Sequence, residues 1–463
     1  MIPLERVSSE QKGNPVADIF ANLVSQIAAI PLTTPIGRIV DLGRGTLRVT
    51  GLERAASLGD RVLVRGQSGT IGGEILRLSR EGATILPDGS AEGLAIGDAV
   101  DLVGATDISP DDSWIGRIVD PMGRPLDGRP LLQGAVPRPL RADAPAAATR
   151  RRIGPRLETG VAVFDTLLPL ARGQRIGLFA GSGVGKSSLL AKFAQGVAAD
   201  VVVIALIGER GRELREFTEK VLGPAGMARS VVVTATSDQS PLLRRRCAWA
   251  AMAVAEHFRD QGLQVLFLAD SITRFAEAHR EIALAAGEEA SLRGYPPSVS
   301  HAIMSLAERA GPGSENVCSE GVGPEGSGDI TAVFSVLVPG SDMDEPVADI
   351  LRGVLDGHVV MDRKIAERGR YPAIDLLRSV SRSLPDAATA NENQLIAEAR
   401  RLLGAWDRAE MMIQAGLYVK GSDPQVDTAI KIWPALDAYL AEAAPQSGIK
   451  GSFARLAALL DVR

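Results

Sequence analysis

The sequence predicts an α/β protein in three parts: a small N-terminal β-barrel, a doubly wound or related α/β domain, and an all-α C-terminal region. Three observations predict it. Six short strand-like runs, split by Gly, Asp and Pro, fall between residues 35 and 103. From about Gly173, near-continuous apolar runs alternate with helical segments, as parallel strands covered on both faces require. After about Leu384 the strands stop and only helical periods remain. A chain of 463 residues is too long for one core in any case. The expected divisions are an arm over 1–34, the barrel over 35–104, the α/β domain over 105–384 and the helical domain over 385–463.

The arm comes first. Residues 14–30 read "NPVADIFANLVSQIAAI". Val16, Ile19, Phe20, Leu23, Val24, Ile27 and Ile30 share one helical face, Asn14 suits the cap and Pro15 the first turn. Two readings stand: a helix packed on its own domain, or an arm that docks a partner or lies on a membrane surface. The barrel runs are "GRIVDL", "TLRVTGL", "DRVLVRG", "TIGGEILRL", "ATILP" and "DAVDLV". "GDRV" at 59–62 and "GDAV" at 97–100 look like equivalent starts of strands. "GRIVD" occurs at 37–41 and 116–120, too short a match to claim a repeat. Pro137–Ala148 reads as a surface linker.

The strands expected in the α/β domain are "QRIGLFA", "VVVIALIG", "VVVTAT", "VLFLAD" and "TAVFSVLVP". Lys186–Val197 and Leu242–Arg259 are expected helices between them. The C-terminal helices are expected in "NENQLIAEARRLLGAWDRAEMMIQAG", "PQVDTAIKIWPALDAYLAEA" and "SFARLAALL".

Composition excludes several classes. No run of about 18 uncharged apolar residues appears, so no membrane span is expected. The N-terminus lacks the pattern of a signal peptide. A net charge of −5 argues against general nucleic-acid binding. Two separated cysteines, Cys247 and Cys318, and four scattered histidines make a zinc site improbable and suit a reducing cytoplasm. Cys247 falls in a helical run and reads as a buried, inert thiol.

The chemistry begins at "FAGSGVGKSSLL", residues 179–190. It follows a strand and opens a helix. Gly181, Gly183 and Gly185 let backbone N–H groups turn inward around phosphates, with Ser182, Val184 and Ser188 completing the loop and helix start. Lys186 adds positive charge at the β- and γ-phosphates, and Ser187 offers a hydroxyl to Mg²⁺. Ala180 stands where the first glycine of such loops is usual. The bland alternative, a Gly-rich turn, leaves Lys-Ser at the helix start unexplained. "VLFLAD" ends in Asp270, a carboxylate at the C-terminal edge of the sheet that would hold Mg²⁺ through water. The alternative is an ordinary polar strand end.

Many phosphate-loop ATPases place a catalytic Glu directly after that Asp. Here Ser271 follows, so a base must come from another strand. "VVVIALIGER" ends at the same edge if its strand is parallel. Glu209 is then the candidate to orient the attacking water, and Arg210 a second phosphate contact. Spacing alone leaves a solvated strand-end charge as the equal alternative.

Six motifs in order, "AGSGVGKSSLL", "GERGREL", "DSITRFA", "RGYPPSV", "RYPAIDLLRSVSR" and "YVKGSDPQVDTAI", resemble the flagellar type III export ATPases. These are relatives of the ATP synthase catalytic subunit and of the virulence-secretion ATPases. The resemblance runs from about Pro35 to Trp433. It implies a β-barrel, a RecA-like phosphate-loop ATPase domain and a helical C-terminal domain. It implies ATP and Mg²⁺ as ligands, and a cytoplasmic homo-hexamer at the inner face of the membrane. The implied partners are a stator-like regulatory protein, the export gate, and export chaperones and substrates, with no nucleic acid. Glu209 matches the family's catalytic glutamate. Arg210, Lys186, Ser187 and Asp270 match phosphate and Mg²⁺ positions. Tyr371 matches the aromatic that stacks on adenine, and Arg382 the arginine finger that reaches a neighbouring subunit. Their plain alternatives are a strand-end core tyrosine and a surface salt-bridge arginine.

Two departures stand out. Residues 311–329 are longer and more glycine-rich than the family pattern, and the C-terminal region lacks the acidic lever loop of the rotary synthase. The rivals are a virulence-secretion ATPase, an RNA-translocating helicase and a nucleotide-holding structural subunit. The helicase would need aromatic platforms on the barrel, and residues 35–103 contain no Phe, Tyr or Trp. Glu209, where the noncatalytic synthase subunit has Gln, counts against the structural subunit.

Overall fold

The computed structural model describes residues 33–43, 45–67, 69–314, 327–338 and 343–461. The arm over 14–30 and Cys318 lie outside the described residues, as does most of the glycine-rich stretch at 311–329.

Strands β1 (Ile36–Gly43), β2 (Thr46–Thr50), β3 (Arg61–Gly66), β4 (Gly69–Ser79), β5 (Gly82–Pro87) and β6 (Ala99–Gly104) close into an antiparallel barrel in the order β1-β2-β5-β4-β3-β6. Every run expected to be a barrel strand is one. Alternate residues such as Ile39, Val49, Val62, Val64, Ile85 and Val100 point inward and form a core of the barrel's own. Gly59 and Gly97 both have positive φ, 86° and 96°, at the turns that launch β3 and β6. The two "GD" turns are therefore equivalent in conformation.

Two short strands, β7 (Asp107–Ile108) and β9 (Arg138–Pro139), pair beside the barrel. The second "GRIVD" supplies β8 (Ile118–Val119), which joins the central sheet instead of the barrel. That sheet adds β10 (Arg175–Ala180), β11 (Val201–Glu209), β12 (Ser230–Thr236), β13 (Val265–Asp270), β14 (Ile330–Leu337), β15 (Gly357–Met361) and β16 (Ile374–Ser381). Its order is β16-β15-β10-β14-β13-β11-β12-β8, and only β16 runs antiparallel to its neighbour. β15 and β16 were not expected from the sequence. Helices α1 (Lys186–Gly196), α2 (Gly211–Glu216), α3 (Pro241–Asp260), α4 (Ile272–Ala285), α5 (Ser298–Arg309) and α6 (Pro346–Val354) belong to this layer system. Cys247, on α3, is fully buried, and burial pushes its thiol well up.

The C-terminal helices are α7 (Ala390–Gln414), α8 (Pro424–Tyr439) and α9 (Gly448–Leu460). Thr389 and Glu392 form a capping box at the start of α7. These helices share one apolar core with the central sheet, in which Phe164, Phe193 and Leu376 join Leu402, Leu436 and Phe453.

The barrel is attached differently. Glu74 on β4 is buried and accepts from Arg245 at 2.6 Å and Arg246 at 3.0 Å, both on α3, and from Arg141 at 2.8 Å. Arg141 and Arg245 also lie over the Trp249 ring. Burial alone would raise the Glu74 carboxyl, yet the three guanidiniums hold it below its ordinary value. No helix among the described residues is long and apolar enough to cross a membrane.

Candidate active site

The site forms where β10, β11 and β13 end together. β10 delivers the phosphate loop, whose Gly183 and Gly185 sit at φ 76° and 88°. L-residues avoid that region, so the loop needs glycine there. Val184 is buried in the core and pins the loop from below, while Ser182, Ser187 and Ser188 are exposed. Gly185 is the N-cap of α1, so the positive end of an eleven-residue helix faces the loop.

β11 and β13 are parallel neighbours, with Leu206 level with Asp270. The register of β11 against β12 slips between Ile207 and Glu209. Gly208 makes the slip at φ 69°, and a Cβ there would press on Arg274 at 3.3 Å. The bulge re-aims Glu209 at the sheet edge beside the phosphate loop. Ser187, Leu206, Glu209, Glu213, Phe217 and Asp270 line one cavity of about 160 Å³.

Asp270 is buried, accepts a 2.7 Å hydrogen bond from Ser335 Oγ on β14, and pairs with the Lys186 ammonium. Glu209 is pushed up to about 7, first by burial and then by the Asp270 charge, with Glu213 adding to the rise and Lys186 opposing it. A carboxylate tuned to that value is matched to proton transfer near neutrality. The solvated-charge alternative for Glu209 does not describe this environment.

Tyr371 precedes β16 and lies on the phosphate loop: a Cβ on Gly185 would meet its ring at 3.1 Å. The ring is half exposed and is not a core residue. Arg210 is not brought to the cavity. It is exposed and faces Glu213 at 3.4 Å. Arg382 follows β16. Ser381 pairs with Gly357 at the start of β15, while Met361, beside Ile374, aligns with Ala180 at the phosphate loop. Arg382 therefore lies at the opposite sheet edge from its own phosphate loop, one eight-residue strand away, or roughly 24 Å at ~3.4 Å per residue. Its guanidinium donates to the Arg352 carbonyl.

Sequence reasoning missed Ser335, which fixes Asp270, and Arg274, which walls Gly208. The signal for Ser335 is a lone polar residue inside "TAVFSVLVP". Arg274 carries none, because its role depends on the bulge.

The donor set fits Mg²⁺. The Ser187 hydroxyl and the carboxylates of Glu209, Glu213, Glu216 and Asp270 line the cavity, all hard oxygens. Among the described residues no group of three or more His, Cys, Asp or Glu could hold a metal alone. Mg²⁺ is commonly held in this partial way, by one or two protein oxygens plus substrate phosphates and water.

This architecture defines a phosphate-loop ATPase with a barrel before the nucleotide sheet and a helical region after it. Residues 160–381 match the ATP synthase alpha/beta family, nucleotide-binding domain, and residues 388–455 match the T3SS EscN ATPase C-terminal domain. The chain is 44% identical over 428 residues to a flagellum-specific ATP synthase of Caulobacter vibrioides, covering 91% of this chain and 94% of the relative. It is 41% identical over 429 residues to a type 3 secretion system ATPase of Xanthomonas euvesicatoria, covering 92% and 93%. The assembled ATPase EscN of enteropathogenic E. coli superposes with a TM-score of 0.82 at 33% identity, over 92% of this chain and 100% of EscN. The chain belongs to the flagellar and type III secretion export ATPases and is an ATP-hydrolysing enzyme. The helicase alternative is not favoured.

Proposed function

We propose that this chain hydrolyses Mg²⁺-ATP as a homo-hexameric ring beneath the flagellar export gate. It would lie in the cytoplasm at the inner face of the membrane, helping to deliver or unfold export substrates and to release their chaperones. One observation carries the reading: Lys186, Glu209 and Asp270 converge at one sheet edge, with Glu209 pushed up to about 7. Backbone N–H groups of 181–188 hold the phosphates and Lys186 balances their charge. Tyr371 stacks on the base. Ser187 and Asp270 would hold Mg²⁺, the latter through water, and the ion would neutralise charge on the β- and γ-phosphate oxygens. Glu209 orients the attacking water and takes its proton. Arg210 reaches the phosphates by leaving Glu213. Arg382, remote from its own loop, serves the next subunit.

EscN has also been solved with its central stalk EscO, which supports a regulatory partner for this chain. The proposed divisions are the arm over 1–34, the barrel over 35–104, the ATPase domain over 105–384 and the helices over 385–463. Flagellar relatives of 40–44% identity bracket the virulence relative at 41%, and the assignment to the flagellar system rests on "SGVGKS" and "DSITRFAEAHREIALA", which resemble the flagellar version more closely.

Glu209→Gln should leave ATP binding intact and lower turnover by roughly 10²–10⁴-fold, the usual cost of losing a general base. Near-normal turnover would demote Glu209. For the finger, Lys186→Ala and Arg382→Ala should each be nearly inactive alone, yet recover part of the activity when mixed in one oligomer. Full activity of Arg382→Ala by itself would end that assignment.

A further inference from the structure

Tyr371 sits on the phosphate loop, and the residue before it is tied to the C-terminal helices. Arg370 is 9% exposed. Its Nη2 donates to the Ile374 carbonyl at 2.8 Å, closing the turn that carries Tyr371. Its Nε faces Asp437 Oδ1 on α8 at 3.0 Å. Its Nη1 is buried without a hydrogen-bond partner. One turn back, Arg368 reaches Glu410 on α7 at 2.8 Å. Gly369, between them, is in the left-handed region at φ 80°.

The segment is packed on one side only, where Ala373 and Ile374 are buried in the core. A cavity of about 290 Å³ opens beside it, walled by Ile365, Leu403, Trp406 and Trp433, with Asp375 and Asp437 on its polar side. The two indoles stack at 5.0 Å between centroids. With space on the other side and an unmet guanidinium N–H, the hydrogen bond to Ile374 and the ion pair with Asp437 hold the Arg370 end of the turn. An unsatisfied buried N–H is costly, and a merely structural residue here would be better apolar.

We propose that Arg370, anchored by Asp437, is the positioning residue for Tyr371, so that a carboxylate on the C-terminal helices sets the affinity for the adenine base. The inference rests on the stacking role given to Tyr371. A base and a phosphate chain are bound by different elements, Tyr371 and the phosphate loop. Disturbing Arg370 should therefore damage recognition of one and spare the other.

The test compares ATP with tripolyphosphate, which has no base, as ligands of the full-length chain. Arg370→Gln and Asp437→Asn should each weaken ATP binding and raise KM roughly tenfold, within the range of losing one base-stacking contact. kcat should stay within about twofold, and tripolyphosphate affinity should not move. Arg370→Lys should fall between, because it keeps the charge for Asp437 but lacks the guanidinium fork that meets Asp437 and the Ile374 carbonyl from two separate nitrogens. Tyr371→Ala is the control. If it weakens ATP while Arg370→Gln does not, the inference is overturned and the stacking role survives. If Tyr371→Ala leaves ATP binding unchanged, the stacking role fails and the inference with it. A parallel loss of tripolyphosphate affinity in Arg370→Gln and Asp437→Asn would also overturn it, by showing general damage to the site.

Discussion

The barrel and the C-terminal helices flank the same sheet but join it by different means. The barrel keeps a core of its own and meets α3 through Glu74 and Asp88, which pair with Arg245 and Arg246, while Arg141 adds a third guanidinium on Glu74. The helices have no separate core, because their apolar residues continue the one beneath the phosphate loop. Apolar packing is non-directional and transmits displacement across a dense interior, whereas a buried ion cluster fixes orientation at one point. The difference teaches where a change would be felt. Alterations in the helices should reach the nucleotide, and alterations in the barrel should stay in the barrel.

The largest expected effect is at the charged junction. Glu74→Ala leaves Arg245 buried without its carboxylate and Arg246 with only Asp88, at 3.3 Å, and unpairing a buried charge typically costs about 3–5 kcal/mol. Denaturant unfolding should show that loss, while KM for ATP changes little. A large rise in KM would break the contrast. The same junction should respond to acid. A carboxyl depressed in the folded state contributes stability above its unfolded pKa, and that contribution is lost as pH falls through the folded value. Wild-type barrel attachment, followed by Trp249 fluorescence, should thus persist through the ordinary glutamate range and weaken only below it. Loss at pH 6 would contradict the arrangement. Next comes Leu402→Ala in the shared core, expected to cost about 2–5 kcal/mol. Here KM for ATP should rise together with the stability loss. The smallest is Thr389→Ala at the α7 cap, about 1 kcal/mol by thermal melting, with unchanged kcat.

The sequence made the central site legible because its parts are local. The loop from Gly181 to Ser188 announces itself by glycine spacing, and Asp270 by its place after an apolar strand. The barrel strands were legible from alternation. β15 and β16 were not: "GHVVM" and "IDLLRSVS" are short or interrupted by charge, and they form an edge pair. The Glu74 cluster joins residues 171 and 172 positions apart, a distance no periodicity reports. Arg210 was expected among the phosphate ligands; its exposed guanidinium lies 3.4 Å from Glu213, a surface pair weak enough to exchange for a phosphate.

The opposite placement of the phosphate loop and Arg382 on one sheet has a consequence for symmetry. If the finger serves another copy, a two-fold dimer would have to present both sheet edges on the same self-complementary patch. The natural contact is instead head-to-tail, with one edge giving and the other receiving. Such heterologous contacts either close into a ring or continue as a filament. A lone chain then carries half of two sites and no complete one. Dilution alone would switch the enzyme off, and self-association would switch it on.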